Sequence, residues 1–322
     1  MNRQGSIAAI FLAQLVFGLV PPLIRFCQQE IDTNAVMFDR FCIGFLFFVV
    51  WDGFITFRRR SFGLSAPTEL EMEKQNLSSI SLLGLLCLAS FFLSLSTVIW
   101  AWSLTQTSIA NSTLLYSMLP LFTVLVGWLM LNQSFDRIFL IAMTVTMVGG
   151  FIIGLNDFQI SLEKLQGDLI ALLSALFRTG YLLTVETLRN HLNATTIMLR
   201  VSAICIILTL PLLFINQGKV FPYSTNGWLA LMGLALTLVV GQGLMAYSLK
   251  QLSSGFVSLI SCLDPIFGAL FAWLFFSEAL NVYNWIGFVI ILLGVGLTSY
   301  SQSIIKGTEL FDSNRGLDMV EP

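Results

Sequence analysis

Charge is scarce in this chain: only 11% of its 322 residues are Asp, Glu, Lys or Arg, whereas ordinary soluble domains carry about 25%. Hydrophobic residues make up 56%, which is more apolar surface than a soluble protein can cover. The formal net charge is only −2, so charge gives no general reason to expect a nucleic-acid partner. These scarcities favour an integral membrane protein.

Chemically versatile residues are also few. The single histidine, His191, excludes a multi-histidine metal site and argues against a serine–histidine catalytic triad. The five cysteines have no metal-type spacing and are interpreted as small core residues. No Walker sequence is present, so ATP is not expected to be the direct energy source within this chain. We therefore predict a protein that is not an enzyme and that holds no metal or cofactor.

Long apolar runs are abundant by contrast. A helix that spans a bilayer needs about 20 mostly apolar residues, and ten segments qualify. The predicted fold class is therefore an all-α integral membrane protein with ten transmembrane helices. The predicted segments are 6–26, 34–57, 78–102, 108–131, 135–155, 168–188, 195–215, 227–249, 255–277 and 282–301.

Lysine and arginine are distributed unevenly among the connections between these segments. With the N-terminus in the cytoplasm, ten of them fall on the inside and three on the outside. Cytoplasmic loops carry an excess of positive residues, so both termini are predicted to be cytoplasmic. We expect the protein in a plasma membrane of the bacterial inner-membrane type.

The second half of the sequence repeats features of the first at a shift of 145 residues, which places Pro265 on Pro120 and Trp273 on Trp128. Each half holds five predicted helices, an odd number, so the halves would enter the membrane in opposite orientations. Inverted repeats are typical of secondary transporters. The predicted units are a first repeat at 1–155, a loop at 156–167, a second repeat at 168–301 and a cytoplasmic tail at 302–322.

Several motifs accompany this repeat. An arginine stands near the start of the second helix of each half, Arg40 and Arg200. The fourth and ninth predicted helices share the form Pro-x-Phe…Trp-Leu, the sixth opens with Gly167-Asp168-Leu169-Ile170-Ala171, and the ninth ends in Phe276-Ser277-Glu278. Together with the ten-helix layout, these features resemble the EamA type of the drug/metabolite transporter superfamily over residues 6–301.

The resemblance implies a basket-like bundle whose central cavity is lined by the first, third and fourth helices of each half. It implies a secondary transporter that works by alternating access and exports a small metabolite or drug-like molecule. The expected partners are that small molecule and the lipid bilayer, with proton coupling, exchange and facilitated diffusion as open alternatives. The substrate and the oligomeric state stay open. The alternative from another class is an intramembrane enzyme acting on a lipid-linked substrate.

Two charged residues are predicted to lie deep in the membrane. Arg178 comes ten residues after Asp168, where the sixth helix enters, and is therefore about 15 Å deep. Asp264 comes nine residues after Gly255 and reaches about 13 Å from the other face. In a hydrocarbon core about 30 Å thick both reach the midplane, where a lone charge costs at least about 2.5–3.5 kcal/mol.

This cost predicts that Arg178 and Asp264 pair with each other or face a wet cavity. In the first interpretation Arg178 binds an anionic group of the substrate, such as a carboxylate, and Asp264 binds a cationic group or exchanges a proton. In the second, the two residues form a fixed structural salt bridge between the halves.

Polar residues at helical spacing extend the candidate substrate-binding site. They share faces of the fourth and ninth helices or lie on other predicted lining helices. Each of them could equally make a helix–helix hydrogen bond or be an interfacial aromatic. These residues are Thr113, Tyr116, Ser258 and Ser261 on the shared faces and, in addition, Gln14, Trp100, Asn111, Tyr181 and Gln242.

Four further residues are candidates for gating. Arg40 and Arg200 lie near helix ends, where long side chains can reach the interface, and are interpreted as membrane anchors or gate-closing groups. Pro120 and Pro265 each free a carbonyl one turn back, which predicts a kink that is either mobile or static. Close helix packing is predicted at Gly149, Gly150, Gly154, Gly287, Gly294 and Gly296.

Overall fold

The computed structural model of the chain describes residues 3–61, 79–107, 109–131, 134–155, 165–215, 218–276 and 280–301. Helices account for almost all of this part. Most of the predicted connecting loop, 156–164, and the whole predicted tail, 302–322, lie outside the described residues.

Fourteen α-helices run through the described residues and cover the apolar segments named above. The first seven are α1 (Arg3–Phe17), α2 (Val20–Gln28), α3 (Thr33–Ser61), α4 (Ser79–Gln106), α5 (Ile109–Tyr116), α6 (Leu119–Leu131) and α7 (Arg137–Leu155). The other seven are α8 (Leu165–Leu188), α9 (Ala194–Thr209), α10 (Thr225–Thr237), α11 (Gly243–Ser248), α12 (Ser254–Ile260), α13 (Asp264–Phe276) and α14 (Val282–Leu297). Shorter segments are the 3₁₀ turns Leu210–Phe214, Ser261–Leu263 and Thr298–Tyr300 and the π-helix Leu238–Gln242.

Eight helical stretches in the described part are long and apolar enough to cross a membrane. Two shorter apolar helices, Arg137–Ile153 and Val282–Leu297, occupy the remaining predicted segments. A helix is the form in which a single segment can enter lipid, because its backbone N–H and C=O groups are satisfied within the segment. The all-helical membrane fold predicted from the sequence is confirmed for this part of the chain.

Two helix breaks follow from prolines noted in the sequence. α5 ends at Tyr116, and α6 begins at Leu119, one residue before Pro120. α12 ends at Ile260, and a 3₁₀ turn leads into α13 just ahead of Pro265. Proline has no backbone N–H and its ring crowds the preceding turn, so a regular helix cannot continue through it.

Two further breaks lie outside the sequence-based predictions. α1 and α2 are separated around Gly18, and α2 opens with prolines. Between α10 and α11, the segment Leu238–Gln242 is a π-helix, hereafter the π segment, in which i→i+5 bonding inserts about one extra residue into a turn. All four breaks therefore interrupt stretches of membrane-spanning length.

Buried apolar side chains form two clusters. The larger runs through the bundle and contains Phe41, Phe139 and Tyr181. The smaller contains Ile24 and Trp100 and packs α2 and α3 against α10. Tyr181 belongs to the larger cluster and Trp100 to the smaller, so the predicted site includes residues of both clusters.

α7 and α14 pack at a distance that only glycine permits. A Cβ atom placed on Gly149 would lie 2.8 Å from Ile291 N and 2.9 Å from Gly287 O. A Cβ atom placed on Gly294 would lie 2.7 Å from Thr146 N. Real Cβ atoms essentially never come this close to backbone atoms, so the prediction of close packing is confirmed at these glycines.

The prediction of close packing is wrong at Gly150 and Gly296. A Cβ atom on either residue would meet nothing within 4 Å. These glycines stand one and two positions from Gly149 and Gly294, so each faces away from the partner helix. The environment of Gly154 lies outside what the structure describes.

The contact between α7 and α14 is reciprocal. Gly149 meets Ile291 while Gly294 meets Thr146, and each residue of one contact is 145 positions from its counterpart in the other. The same separation of 145 relates Cys262 to Ser117, whose carbonyl oxygen accepts a hydrogen bond from the Cys262 thiol at 3.6 Å. Reciprocal contacts between equivalent residues are what a two-fold axis produces.

The α2–α3 connection is bound to the segment that precedes α10. The Glu30 carboxylate accepts hydrogen bonds from the backbone N–H groups of Tyr223 and Ser224, both at 3.1 Å, and from the Ser224 hydroxyl. Nearby, Asp32 N donates to Lys219 O at 3.2 Å. The pKa of the Glu30 carboxyl is held below its ordinary value, chiefly by the hydrogen bond from the Ser224 hydroxyl and also by those from the backbone N–H groups. The positive N-terminal end of α10 favours the same ionised form.

Acidification is expected to release this connection. Glu30 has a lower pKa in the folded state, so its stabilising contribution is complete above the unfolded value of about 4.3 and is lost as the pH falls through the folded value. Glu30→Gln should therefore speed amide exchange at Tyr223 and Ser224 at neutral pH. It should also remove the increase in this exchange that acidification causes in the wild type. Hydrogen-exchange mass spectrometry, corrected for intrinsic rates, measures this, with exposed Asp52→Asn as the control. Equal exchange in wild type and Glu30→Gln at neutral pH would contradict the role of this carboxylate.

Candidate functional site

The helix breaks meet one another in the interior of the bundle. A Cβ atom on Gly18, at the α1–α2 break, would lie 2.5 Å from Phe267 Cβ in α13. A Cβ atom on Gly241, in the π segment, would lie 2.5 Å from the Phe17 ring. The α5–α6 break and the 3₁₀ turn ahead of α13 touch through the Cys262 thiol described above. Four irregular stretches of backbone therefore adjoin in one region.

The π segment brings two polar side chains to two buried arginines. Arg178, in α8, donates from Nη2 to Gln242 Oε1 at 3.3 Å and to Met245 Sδ at 3.5 Å. Arg40, in α3, donates from Nη2 to Thr237 Oγ1 at 3.3 Å. Arg40 is only 2% exposed and Arg178 only 5%. Two neutral side chains, one just before the π segment and one at its last residue, thus accept hydrogen bonds from two permanently charged groups.

Aromatic rings cover the Arg178 guanidinium group. Its Cζ lies 4.9 Å from the centroid of the Tyr181 ring and 5.7 Å from that of Phe17. A desolvated cation over an aromatic face gains about 2 kcal/mol or more. The Tyr181 hydroxyl reaches Met198 Sδ at 3.6 Å, which fixes the ring. The guanidinium is therefore oriented by its surroundings, with no anionic partner in contact with it among the residues that the structure describes.

Asp264 stands at the first position of α13 with a free acceptor. Its Oδ1 is buried and has no hydrogen-bond partner among the described residues. Asp264 interacts electrostatically with Arg178 and Tyr116, yet the described hydrogen bonds of Arg178 go to Gln242 and Met245. Within the described part of the chain, Arg178 and Asp264 therefore do not form the fixed salt bridge of the second interpretation.

Further buried polar atoms have no hydrogen-bond partner in the described residues, some of them one turn before a helix break (Gln14 and Thr113) and others within the unbroken helices α3 and α4. They include both amide atoms of Gln14, the indole Nε1 of Trp100, Oγ1 of Thr113 and Nε of Arg40. Trp100 packs on Tyr116 with ring centroids 5.1 Å apart and ring planes at 31°. Because buried polar atoms normally have partners, this group of donors and acceptors is a candidate place for a polar ligand.

Comparison with known proteins assigns the family. A sequence model of the EamA-like transporter family matches residues 4–155 and, separately, residues 165–300. The chain belongs to the EamA-like transporter family. The membership predicted from the sequence is confirmed, and the family model matches once in each half of the chain.

Relatives of this EamA-like transporter carry transporter names. The Pseudopaline exporter CntI of Pseudomonas aeruginosa (strain PAO1) is 21% identical over 291 residues, which cover 90% of this chain and 94% of the relative. An uncharacterized transporter of Helicobacter pylori (strain J99) is 21% identical over 311 residues, which cover 94% and 96% of the two chains. A crystal structure at 13% identity superposes with a TM-score of 0.73 over 92% of this chain and 99% of the other, and it shows the fold alone. The protein is an integral membrane transporter.

Most of the predicted binding residues of this EamA-like transporter come together. Arg178 contacts Gln242 and Tyr181, and it interacts electrostatically with Asp264 and Tyr116. Trp100 joins them through Tyr116, and Gln14 and Thr113 each lie one turn before a helix break. Pro120 and Pro265 are buried at the breaks themselves. The structure therefore brings together predicted residues from α4, α5, α8, α13 and the π segment, and Phe17 of α1 joins them at Arg178.

The two predicted serines differ from this group. Ser258 donates to Gly255 O at 2.7 Å, and Ser261 donates to Val257 O at 3.1 Å. Their hydroxyl donors are therefore used within their own helix. The side chain of Asn111 lies outside what the structure describes.

The two predicted gating arginines lie in different environments. Arg200 is exposed, which agrees with an anchor at the membrane interface. Arg40 is buried and bound to Thr237, so it does not reach toward the interface as expected for a snorkelling side chain. Tertiary packing of α3 against α10 turns Arg40 inward.

Three residues of the site carry no signal in the sequence. Thr237 lies five positions before Gln242, which on an α-helix would put the two on different faces. Only the π segment brings them to the same face. Phe17 and Met245 have the pattern of ordinary apolar helix residues, and their contacts with Arg178 depend on the packing of separate helices.

Proposed function

We propose that this membrane transporter is a secondary transporter that works by alternating access and exports a small metabolite. Its two halves, 1–155 and 168–301, would be inverted five-helix repeats connected through 156–167, with both termini in the cytoplasm and the protein in a bacterial-type plasma membrane. The observation that carries the proposal is the meeting of four interrupted helices at buried polar atoms without partners in the described residues. Interrupted helices at a central polar site are characteristic of such transporters.

The reciprocal contacts support the arrangement of the two halves. The contact of Gly149 with Ile291 is equivalent to that of Gly294 with Thr146, and Ser117 meets its own equivalent, Cys262, as expected around a two-fold axis. Two tandem matches to one family model add to this. An odd number of crossings in each half would make that axis lie in the plane of the membrane and give inverted repeats.

The helix breaks support alternating access. A break removes backbone hydrogen bonds from a helix and lets its two halves rotate against each other. Because the breaks at Gly18 and in the π segment touch other helices at their irregular positions, movement at one break would be transmitted to its neighbour. Rocking of one half against the other would then open the site first to one side and then to the other.

The charges support a substrate with its own charged groups. Arg178 would bind an anionic group, and the free oxygen of Asp264 would accept a hydrogen bond from a cationic group or take up a proton. The export direction is supported by the name of the P. aeruginosa relative, which is an exporter. Binding of opposite charges at fixed positions would orient the substrate in the site.

Transport by the purified protein in proteoliposomes tests this function. Vesicles loaded with a mixture of amino acids, carboxylic acids, nucleosides and sugars should lose at least one compound through the wild-type protein without ATP. Asp264→Asn and Arg178→Gln should each slow that flux about tenfold or more, because each removes a charged hydrogen-bonding group worth about 1.5–3 kcal/mol. Exposed Asp52→Asn and Arg58→Gln, both on α3, are the matched controls. Normal flux through both site variants, at equal amounts of folded protein, would refute the assignment.

A further inference from the structure

Two guanidinium groups share one face of the π segment. Arg40 is bound to Thr237 and Arg178 to Gln242, five positions later. In an i→i+5 helix these two positions lie one turn apart on the same face. Thr237 and Gln242, which bind the two guanidiniums, are therefore about one helical turn apart along the helix, roughly 5 Å.

Neither guanidinium is neutralised by the contacts that the structure describes. Their described hydrogen bonds go to a hydroxyl, an amide and a thioether, and Nε of Arg40 has no partner in the described part of the chain. Arginine cannot escape burial by losing its proton, and a buried charge without a counter-ion is strongly unfavourable. The site as a whole should therefore attract negative charge.

Three charged side chains interact with Tyr116, and they define the charge of the site. They are Arg40, Arg178 and Asp264. Asp39 points in a different direction around α3, about 100° from Arg40. Both residues interact with Cys27, but the charged group that acts on Arg40 is Arg178 and not Asp39. By formal charge, the two positive groups and one negative group around Tyr116 leave an excess of one positive charge. A ligand that carries two negative groups and one positive group matches both the net charge and the individual groups.

We propose that the site takes an amino dicarboxylate, with one carboxylate at Arg40, the other at Arg178 and the ammonium group at Asp264. This rests on the proposed transport function and specifies its substrate class. A dicarboxylate without an amine would leave Asp264 Oδ1 without a donor. A monocarboxylate would leave one guanidinium without an anion. Arg40 thereby becomes a substrate-binding residue, a role distinct from gating.

Binding of matched small molecules to the purified full-length protein in nanodiscs tests the substrate class. The probes are L-glutamate, L-glutamine, which lacks the second carboxylate, and glutarate, which lacks the amine. L-aspartate and L-2-aminoadipate, with their amides and deaminated analogues, vary the spacing of the two carboxylates. We expect the best of the three amino dicarboxylates to bind about tenfold or more tightly than both of its analogues, since each analogue loses a charge-assisted contact.

Substitutions assign each preference to a residue. Arg40→Gln should remove the preference for the acid over its amide and leave binding of the amide unchanged, whereas Arg40→Lys should restore part of that preference. Asp264→Asn should remove the preference for the amino acid over its deaminated analogue. Arg58→Gln, an exposed arginine on the same helix as Arg40, should alter neither preference. Gel filtration confirms that each variant is folded, and the wild-type comparison stands without any variant.

Several results would overturn the inference. They are equal binding of acid and amide, failure of all three amino dicarboxylates to bind, and a uniform loss for every probe in Arg40→Gln. If the wild-type protein still moves another compound in proteoliposomes, only the substrate class is wrong. If it moves no compound at all, the proposed transport function is itself contradicted.

Discussion

Replacement of Gly294 by alanine should destabilise the protein by about 1–3 kcal/mol, the range found for overpacked cores. The new Cβ atom would lie 2.7 Å from Thr146 N and 2.9 Å from Ala142 O. Both are backbone atoms, so no side-chain rotation can relieve the clash. α7 and α14 would have to separate, and their close contact would be lost along its length.

Gly296→Ala provides a matched control two residues away on the same helix. Its Cβ atom would meet nothing within 4 Å, and alanine is the better helix former by up to about 1 kcal/mol. We expect this variant to be as stable as the wild type or slightly more so. Gly149→Ala should match Gly294→Ala in its cost, because the two glycines occupy equivalent places in the reciprocal contact. Thermal unfolding of the three purified variants in one detergent measures the order, and equal midpoints for Gly294→Ala and Gly296→Ala would contradict the described packing.

Replacement of Gly18 by alanine should reduce transport about tenfold or more, because overpacking of about 1–3 kcal/mol falls at the α1–α2 break itself. The Cβ atom would lie 2.5 Å from Phe267 Cβ and 3.0 Å from the Phe267 carbonyl carbon. The break would then be pushed away from α13, and Phe17, one residue before it, would shift relative to Arg178. The flux per amount of folded protein should therefore fall.

Gly268→Ala is the control for this second variant. Gly268 is adjacent to Phe267 on α13, and a Cβ atom there would meet nothing within 4 Å. Flux in proteoliposomes and the unfolding midpoint are measured for both variants. A normal flux in Gly18→Ala would show that the close contact of α1 with α13 is dispensable for the transport cycle.

The helices were predictable because lipid leaves the chain few alternatives. An apolar run of sufficient length must satisfy its backbone internally, and the observed helices begin and end close to the predicted segments. Breaks at Pro120 and Pro265 were predictable for a similar reason, since proline alters the backbone whatever its surroundings. The close packing of Gly149 with α14 followed from the same kind of local rule, although Gly150 did not share it.

The contacts within the site were less predictable, because they depend on the packing of separate helices. Helix depth places Arg178 and Asp264 near the same level, and the structure brings them into electrostatic range. Sequence spacing could not show that Arg178 binds Gln242. It also could not show that Arg40 turns inward, or that Ser258 uses its hydroxyl on Gly255 O.

The π segment makes the site depend on the number of residues in a helix as well as on their identity. If Leu238–Gln242 became a regular α-helix with all its residues kept, everything after it would turn by about 100°. Gln242 would then point away from Arg178, although both side chains were still present. Deletion of one residue between Leu238 and Gly241 should instead remove the π-helix and leave both side chains in place, because Thr237 and the glutamine would then stand about four positions apart on one face of a regular helix. The extra residue of the π-helix is therefore compatible with the site only as long as the π-helix itself is kept.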